Sequence, residues 1–254
     1  MLEMTTYGSD ARQPPILIAH GLFGSGRNWR AIAKRMARNR RVTCVDMRNH
    51  GASFRADSQS YPDMAADLAE VIAELGGKAD LLGHSMGGKA VMVLALSRPE
   101  LVRRLLVADI APAAYTHSQN HLIKAMRLID LQQVQSRAEA DATLAGEIDS
   151  PQVRAFLLQS LDLEARRWRL NLDVLEREMG LITGFPDICG HFDGATLFLS
   201  GKDSDYVRPE HRARIKTLFP RAVFAMIPGA GHWLHAERPR AFIAAAEAFF
   251  NPEI

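Results

Sequence analysis

The first part of the chain alternates short apolar runs with stretches whose apolar residues recur at helical spacing. The run Ile16–Ala19 is apolar throughout, as a buried strand is, and the next stretch places Trp29, Ile32, Ala33 and Met36 on one helix face. The same pattern predicts further strands at 41–46, 79–83 and 105–109 and further helices at 61–75 and 86–97. This alternation indicates an α/β protein with a mostly parallel, doubly wound sheet covered by helices on both faces.

Between about residues 113 and 194 the alternation stops. Helical spacing occurs at 122–134, 152–161 and 172–179, and no clear strand is visible. The earlier pattern then resumes, with strands predicted at 195–200 and 222–227 and helices at 209–219 and 238–250. We therefore predict a core formed by residues 1–112 and 195–254 and a helical cap formed by residues 113–194. Such a cap would cover the carboxyl ends of the strands, where open α/β sheets bind ligands.

The apolar residues of this cap are candidates for contact with a bound ligand. We expect some of them to face the sheet and to select the ligand by its length; the candidates are Met126, Leu157, Trp168 and Leu172.

Composition and charge narrow the class of protein. The 254 residues are 47% hydrophobic, which excludes a disordered chain, and two cysteines, Cys44 and Cys189, are too few for a disulfide scaffold. A net charge of +2 is too balanced for a nucleic-acid or membrane-surface protein. The N-terminus does not resemble a secretory signal, and no apolar run approaches the ~20 residues of a membrane span. We expect a cytoplasmic monomer or small homo-oligomer.

A nucleophile motif follows the predicted strand 79–83. The segment Gly83–Gly87 reads G-x-S-x-G between that strand and a helix. In this context the serine lies on a sharp, strained turn that exposes its hydroxyl above the sheet, and the flanking glycines remove side chains that would clash. Ser85 is the predicted nucleophile, and the backbone amide of Met86 is one predicted donor to an oxyanion.

A second glycine-containing turn, His20–Gly24, ends the first apolar strand. Glycines there let backbone amides approach a ligand oxygen, so this turn is expected to supply the other oxyanion-hole amide. Leu22 is favoured over Phe23 for this role.

The candidate general base is His232, in Gly229–Trp233 just after the last predicted strand, where an imidazole can reach a nucleophile on a neighbouring strand end. For His50 and His84 we expect backbone hydrogen bonding, and for His235 a structural role. Four further histidines are expected to be solvated: His117, His121, His191 and His211.

These motifs resemble those of the α/β-hydrolase superfamily, and more closely those of the YbfF-type esterases. The likeness rests on H-G-L-F-G-S, D-M-R-N-H-G-A-S at 46–53, G-H-S-M-G-G-K-A and G-A-G-H-W-L-H-A, with V-A-D-I-A-P at 107–112 and W-R-L-N at 168–171. It implies an α/β-hydrolase fold with a helical cap inserted after the sixth strand of that fold. It also implies a serine hydrolase of esters or thioesters that needs no cofactor.

The acid of the triad is not where the resemblance would place it. Hydrolases of this type usually carry it after the seventh strand, in a pattern like G-x-x-D-x-x-V-P, and here that loop is Gly201–Val207. Counting from either end puts Ser204 at the acid position, where a hydroxyl cannot stabilise an imidazolium as a carboxylate does. Asp203 and Asp205 flank it and could substitute by a one-residue shift.

Asp109 offers a second solution. It ends the strand that follows the nucleophile's helix, 24 residues beyond Ser85. Haloalkane dehalogenases and some other α/β-hydrolases carry their acid at a similar place. We therefore predict Asp109 as the acid, with Asp205, Asp203 and Asp173 of the cap as alternatives.

The function predicted from these residues is hydrolysis of carboxylic esters, or of thioesters, of small to medium acyl groups through an acyl-enzyme. A carbon–carbon bond hydrolase with the same triad and a ligand-binding receptor of the same fold are the alternatives. The sequence contains no H-E-x-x-H motif, no paired cysteines at metal-ligand spacing and no G-x-G-x-x-G at a helix start. We therefore expect no metal and no dinucleotide, and a small acyl ester as the binding partner.

Overall fold

The computed structural model describes residues 1–9 and 13–251. Its strands, in chain order, are β1 (Met4–Tyr7), β2 (Ile16–Ala19), β3 (Val42–Val45), β4 (Ala79–His84), β5 (Val102–Ala108), β6 (Leu161–Asp162), β7 (Arg167–Trp168), β8 (Ala195–Gly201) and β9 (Ala222–Ile227). Seven of them form one sheet in the order β1-β3-β2-β4-β5-β8-β9. All neighbouring strands in it are parallel except β1, which runs antiparallel to β3.

The helices of the core lie on both faces of this sheet, as the alternating pattern predicts. They are α1 (Arg30–Met36), α2 (Tyr61–Glu74), α3 (Met86–Ser97), α9 (His211–Leu218), α10 (Leu234–Glu237) and α11 (Pro239–Phe250). Helices α2 and α3 contribute to one apolar cluster and α1 and α11 to another, so the sheet separates two cores. Strands β2, β3 and β4 are buried at every position because both of their faces are covered. The α/β-hydrolase fold predicted from the sequence is confirmed.

A group of short elements lies between β5 and β8, over the carboxyl ends of the strands. Its helices are α4 (Asn120–Arg127), α5 (Arg137–Ala145), α6 (Pro151–Leu158), α7 (Leu172–Arg177) and α8 (Met179–Thr183). The expectation of a purely helical cap is wrong, because β6 and β7 form an antiparallel hairpin within it. Strands of two residues are too short to show an alternating pattern. The cap follows β5, the fifth strand of the described sheet along this chain, whereas the sequence led us to expect it after the sixth strand.

Two of the family-like motifs hold the cap against the core. The backbone amide of Asn171, in W-R-L-N, donates to the carbonyl of Asn49, in the 46–53 motif, at 2.9 Å. The Asn171 side-chain amide donates to Asn49 Oδ1 at 3.0 Å. His50 and Leu170 form an isolated β-bridge beside them. These motifs therefore fix the position of the cap, and their contribution to the active site is indirect.

Candidate active site

Ser85 lies on the sharp turn between β4 and α3. Its φ of 53° is a left-handed backbone conformation that non-glycine residues seldom adopt. The turn requires small neighbours: a Cβ on Gly83 would lie 2.4 Å from the carbonyl oxygen of Gly87, and one on Gly87 would lie 2.3 Å from that of Ala19. The Ser85 amide donates to the carbonyl of Ala108 on β5 at 3.1 Å. The strained turn is thus held by the neighbouring strand and directs the hydroxyl away from the sheet.

His232 lies on the loop after β9 and faces Ser85. Its Nε2 is 3.1 Å from Ser85 Oγ, and its Nδ1 is 2.7 Å from Asp109 Oδ2. A carboxylate oxygen accepts, so the proton is on Nδ1 and Nε2 is the acceptor for the serine hydroxyl. The backbone of His232 is fixed as well, because Nε2 of His84 donates to the carbonyl of His232 at 2.9 Å.

Asp109 ends β5 in a fully buried position with a φ of 51°. Its carboxylate accepts three hydrogen bonds. Oδ1 accepts from the amide of Gly201 at 3.0 Å, and Oδ2 accepts both from His232 Nδ1 and from the hydroxyl of Ser204 at 2.5 Å. The residue at the usual acid position therefore donates to the carboxylate that contacts the imidazole.

The alternative acids lie elsewhere. Asp203 is exposed, and Asp205 is exposed and pairs with Arg208 at 2.9 Å. Asp173, in the cap, pairs with Arg127 at 2.7 Å. The structure brings Asp109, and none of these three, to His232.

The two predicted oxyanion-hole amides line the same cavity as Ser85. The amide of Phe23 donates to His50 Nε2 at 3.2 Å, whereas the amide of Leu22 has no acceptor within residues 1–9 and 13–251. Met86 is the first residue of α3, where helix geometry leaves the N–H without an intrahelical acceptor. This arrangement favours Leu22 over Phe23, as the sequence suggested.

Buried histidines surround the site and are neutral. Burial lowers the pKa of His20 to about 4 and that of His50 to about 3. The expected backbone hydrogen bonds are present: Nδ1 of His50 donates to the carbonyl of Arg48, and His84 donates to His232. Burial also lowers the pKa of His235 to about 3; its ring stacks on Trp29 with centroids 4.3 Å apart. Neutral rings of this kind serve as fixed donors, acceptors and packing groups.

A cavity of about 550 Å³ leads to Ser85 between the core and the cap. The cap residues that line it include Leu122, Ile148, Val153, Phe156 and Ile182. The expected set is wrong, because the lining contains none of the four cap residues named from the sequence (Met126, Leu157, Trp168 and Leu172). Met126 and Trp168 pack inside the cap, where the Trp168 indole donates to the Met126 carbonyl at 3.2 Å. Helical spacing shows that a residue is buried without showing against which partner.

Lys89, for which the sequence predicted no role, is a buried amine beside this cavity. It lies one turn after Ser85 on α3, and its Nζ donates to the carbonyls of Thr183 and Gly184 at the end of α8. Nζ also lies 4.7 Å from the centre of the Tyr115 ring. Burial lowers the pKa of Lys89 to about 7. Lys89 thus connects the nucleophile's helix to the cap, a contact for which the sequence gives no signal because its partners are backbone carbonyls.

Comparison with known proteins agrees with this geometry. The model of a family described as "Alpha/beta hydrolase family" matches residues 16–246. The chain belongs to the alpha/beta hydrolase family. It is 41% identical to the mouse sn-1-specific diacylglycerol lipase ABHD11 over 98% of this chain and 84% of that protein. It is 38% identical to esterase YbfF of Escherichia coli over 93% of both chains.

A solved structure described as a marine microorganism esterase has the same fold. It superposes with a TM-score of 0.92 at 39% identity and covers 98% of both chains. Within the alpha/beta hydrolase family, then, the chain's similarity extends over the cap as well as the core. Across the described residues, no helix combines the length and apolar character of a membrane span, and no group of three His, Cys, Asp or Glu side chains could hold a metal ion.

Proposed function

We propose that this protein is a carboxylesterase-type serine hydrolase that cleaves carboxylic esters through an acyl-enzyme. The observation that carries the proposal is the hydrogen-bonded chain from Ser85 Oγ through His232 to the buried Asp109 carboxylate. Nucleophile, base and orienting acid in this order make up the constellation of serine hydrolases. The esterases and lipases named among its relatives support the same chemistry.

In the proposed acylation step, His232 Nε2 takes the hydroxyl proton of Ser85 while Oγ attacks the ester carbonyl carbon. The resulting oxyanion is bound by the amides of Leu22 and Met86, and Asp109 stabilises the imidazolium. Collapse of the tetrahedral intermediate breaks the bond to the alcohol oxygen, which leaves with the proton from Nε2. Ser85 now carries the acyl group as an ester.

Deacylation repeats these steps with water. A water molecule attacks the acyl carbonyl carbon and gives its proton to His232 Nε2. Collapse then releases the carboxylic acid and returns the proton to Ser85 Oγ, which restores the free enzyme. The site uses only side chains and backbone amides of the chain itself.

The substrate class is inferred from the cavity. Its volume of about 550 Å³ and its apolar cap residues suit small to medium acyl groups, and its wall beside Ser85 includes the Trp233 and Phe156 rings, whose centroids are 5.6 Å apart. Thioesters carry the same acyl carbonyl and are included in the proposal.

The organisation of the molecule is part of the same proposal. Residues 1–112 and 195–254 form the catalytic core, and residues 113–194 form the cap that encloses the acyl group. We also propose a cytoplasmic protein, since Cys44 and Cys189 are free thiols, and a monomer or small homo-oligomer.

Turnover of p-nitrophenyl esters by the wild-type protein and by Ser85→Ala tests the proposal. We expect many turnovers per wild-type molecule and a loss of at least about 10³-fold in Ser85→Ala, because alanine removes only the nucleophilic oxygen. Ser97→Ala, at the other end of α3, is the matched control and should keep wild-type activity. If the wild type binds ester without turning it over, the protein is a receptor. If Ser85→Ala keeps more than about a tenth of the rate, the serine mechanism is wrong.

A further inference from the structure

Tyr206 lies in the loop after β8, two residues beyond Ser204. Its ring is parallel to the imidazole of His232, with centroids 4.0 Å apart and an interplanar angle of 19°. The His84 ring lies 4.8 Å from His232 at an angle of 40°. The imidazole thus has two rings as neighbours, and Tyr206 presents the parallel one.

Several contacts fix the position of the Tyr206 ring. The Tyr115 hydroxyl accepts from the amide of Ala111 at 2.9 Å and donates to the carbonyl of Tyr206 at 2.7 Å. The Tyr206 hydroxyl is 2.8 Å from Nε2 of His117, at hydrogen-bonding distance. The backbone amide of Tyr206 donates to Ser204 Oγ at 3.4 Å. The ring is therefore held at its backbone and at its hydroxyl.

The charge of the two rings connects this stacking to the reaction. Burial raises the pKa of the Tyr206 phenol, so the ring is neutral at neutral pH. In the proposed function, on which this inference rests, His232 gains a proton in each tetrahedral transition state. A cation attracts the face of an aromatic ring within about 6 Å of its centre, and the attraction is stronger where water is excluded. Because the imidazolium forms at the tetrahedral step of the proposed reaction, the attraction lowers the barrier without tightening substrate binding.

We propose that Tyr206 is a positioning residue whose ring face holds the His232 imidazole in line with Ser85 and Asp109 and stabilises its protonated form. The loop that usually supplies the acid then has two supporting functions in this chain. Ser204 donates to the Asp109 carboxylate, and Tyr206 covers the imidazole that this carboxylate contacts. The hydroxyl of Tyr206 is not required by this role, whereas the aromatic face is.

Replacing the Tyr206 ring distinguishes its proposed role in positioning His232 from a role as a wall of the acyl cavity. Tyr206→Leu and Tyr206→Met keep an apolar side chain without a π face, and we expect kcat for a p-nitrophenyl ester to fall about tenfold with KM within about twofold of wild type. Tyr206→Phe keeps the face and should restore kcat to within about threefold. Ser85→Ala is measured in the same series, and circular dichroism checks that each variant is folded.

Three results would overturn the proposal. One is wild-type kcat in folded Tyr206→Leu or Tyr206→Met. Another is a change confined to KM, which would make Tyr206 a wall of the acyl cavity. The third is an equal loss of kcat in Tyr206→Phe, which would assign the effect to the hydroxyl and His117. If Ser85→Ala itself turns over ester, the proposed function fails together with this inference. Inactive Ser85→Ala beside fully active Tyr206→Leu overturns the inference alone.

Discussion

Asp109 and Ser204 share one hydrogen-bonded cluster at the end of β5. The Oδ2 atom of Asp109 accepts from both His232 and Ser204, while Oδ1 accepts from the amide of Gly201. A buried carboxylate with three donors has a fixed orientation. Serine at the usual acid position is therefore compatible with catalysis, because it supports a carboxylate supplied by the neighbouring strand.

At this scale the sequence indicates the residues of the proposed triad more clearly than the residues that contact them. The flanking glycines identify Ser85, and the loop after the last strand identifies His232, since both depend on local backbone geometry. Asp109 is predicted because counting along the loop Gly201–Val207 puts Ser204, which is not a carboxylate, at the expected acid position. Tyr206 and Lys89 could not be found in this way, because ring stacking and bonds to distant carbonyls leave no local pattern.

The secondary structure elements place these residues at one edge of the sheet. Helix α3 and strand β9 have the predicted bounds, because each is mostly apolar and is followed by a proline within two residues. Several elements were not predicted, among them β1 and α5. Strand β1 is an edge strand with mixed burial, and α5 has few buried residues. Weakly amphipathic elements give a weak periodic signal, and their formation depends on the contacts they make.

Phe156 on α6 provides a test of how the cap selects acyl groups. It lines the cavity and packs against Trp233, the residue after His232. Phe156→Ala should enlarge the cavity and raise the ratio of kcat/KM for long against short p-nitrophenyl esters by about tenfold, because a methylene in an apolar pocket contributes about 1–3 kcal/mol.

Trp168→Phe is the control for this prediction, since Trp168 is buried in the cap away from the cavity and should leave the ratio unchanged. An unchanged ratio in folded Phe156→Ala would show that the cap covers the site without selecting the acyl chain.

For the molecule as a whole, the buried histidines link stability to pH. Burial lowers the pKa values of His20, His50, His84 and His235 in the native state, so these rings are neutral there while the unfolded chain binds protons below about pH 6.5. The contribution of these neutral rings to the free energy of unfolding is therefore fully present above about pH 6.5. It is lost as the pH falls toward the native pKa values of about 3 to 4.

His235→Phe tests this linkage at one residue. His235 Nδ1 is buried and has no hydrogen-bond partner among residues 1–9 and 13–251, and its ring stacks on Trp29. Phenylalanine therefore preserves the stacking and removes the titration. The wild type should lose about 2 kcal/mol more of its free energy of unfolding between pH 7 and pH 5 than the variant does. Urea unfolding at the two pH values measures the difference. Equal losses of free energy of unfolding in the wild type and the variant would show that His235 does not contribute to the pH dependence of stability.

The proposed mechanism requires that Asp109 is the acid of the triad, and kcat of matched Asp→Asn variants tests this assignment most directly. Asparagine at the acid position holds the imidazole in the wrong tautomer, so Asp109→Asn should lower kcat by about 10⁴-fold while the protein stays folded. Asp203→Asn and Asp205→Asn, which replace exposed carboxylates, should stay within about twofold of wild type. Wild-type kcat in Asp109→Asn, or a large loss in Asp203→Asn or Asp205→Asn instead, would contradict the assignment.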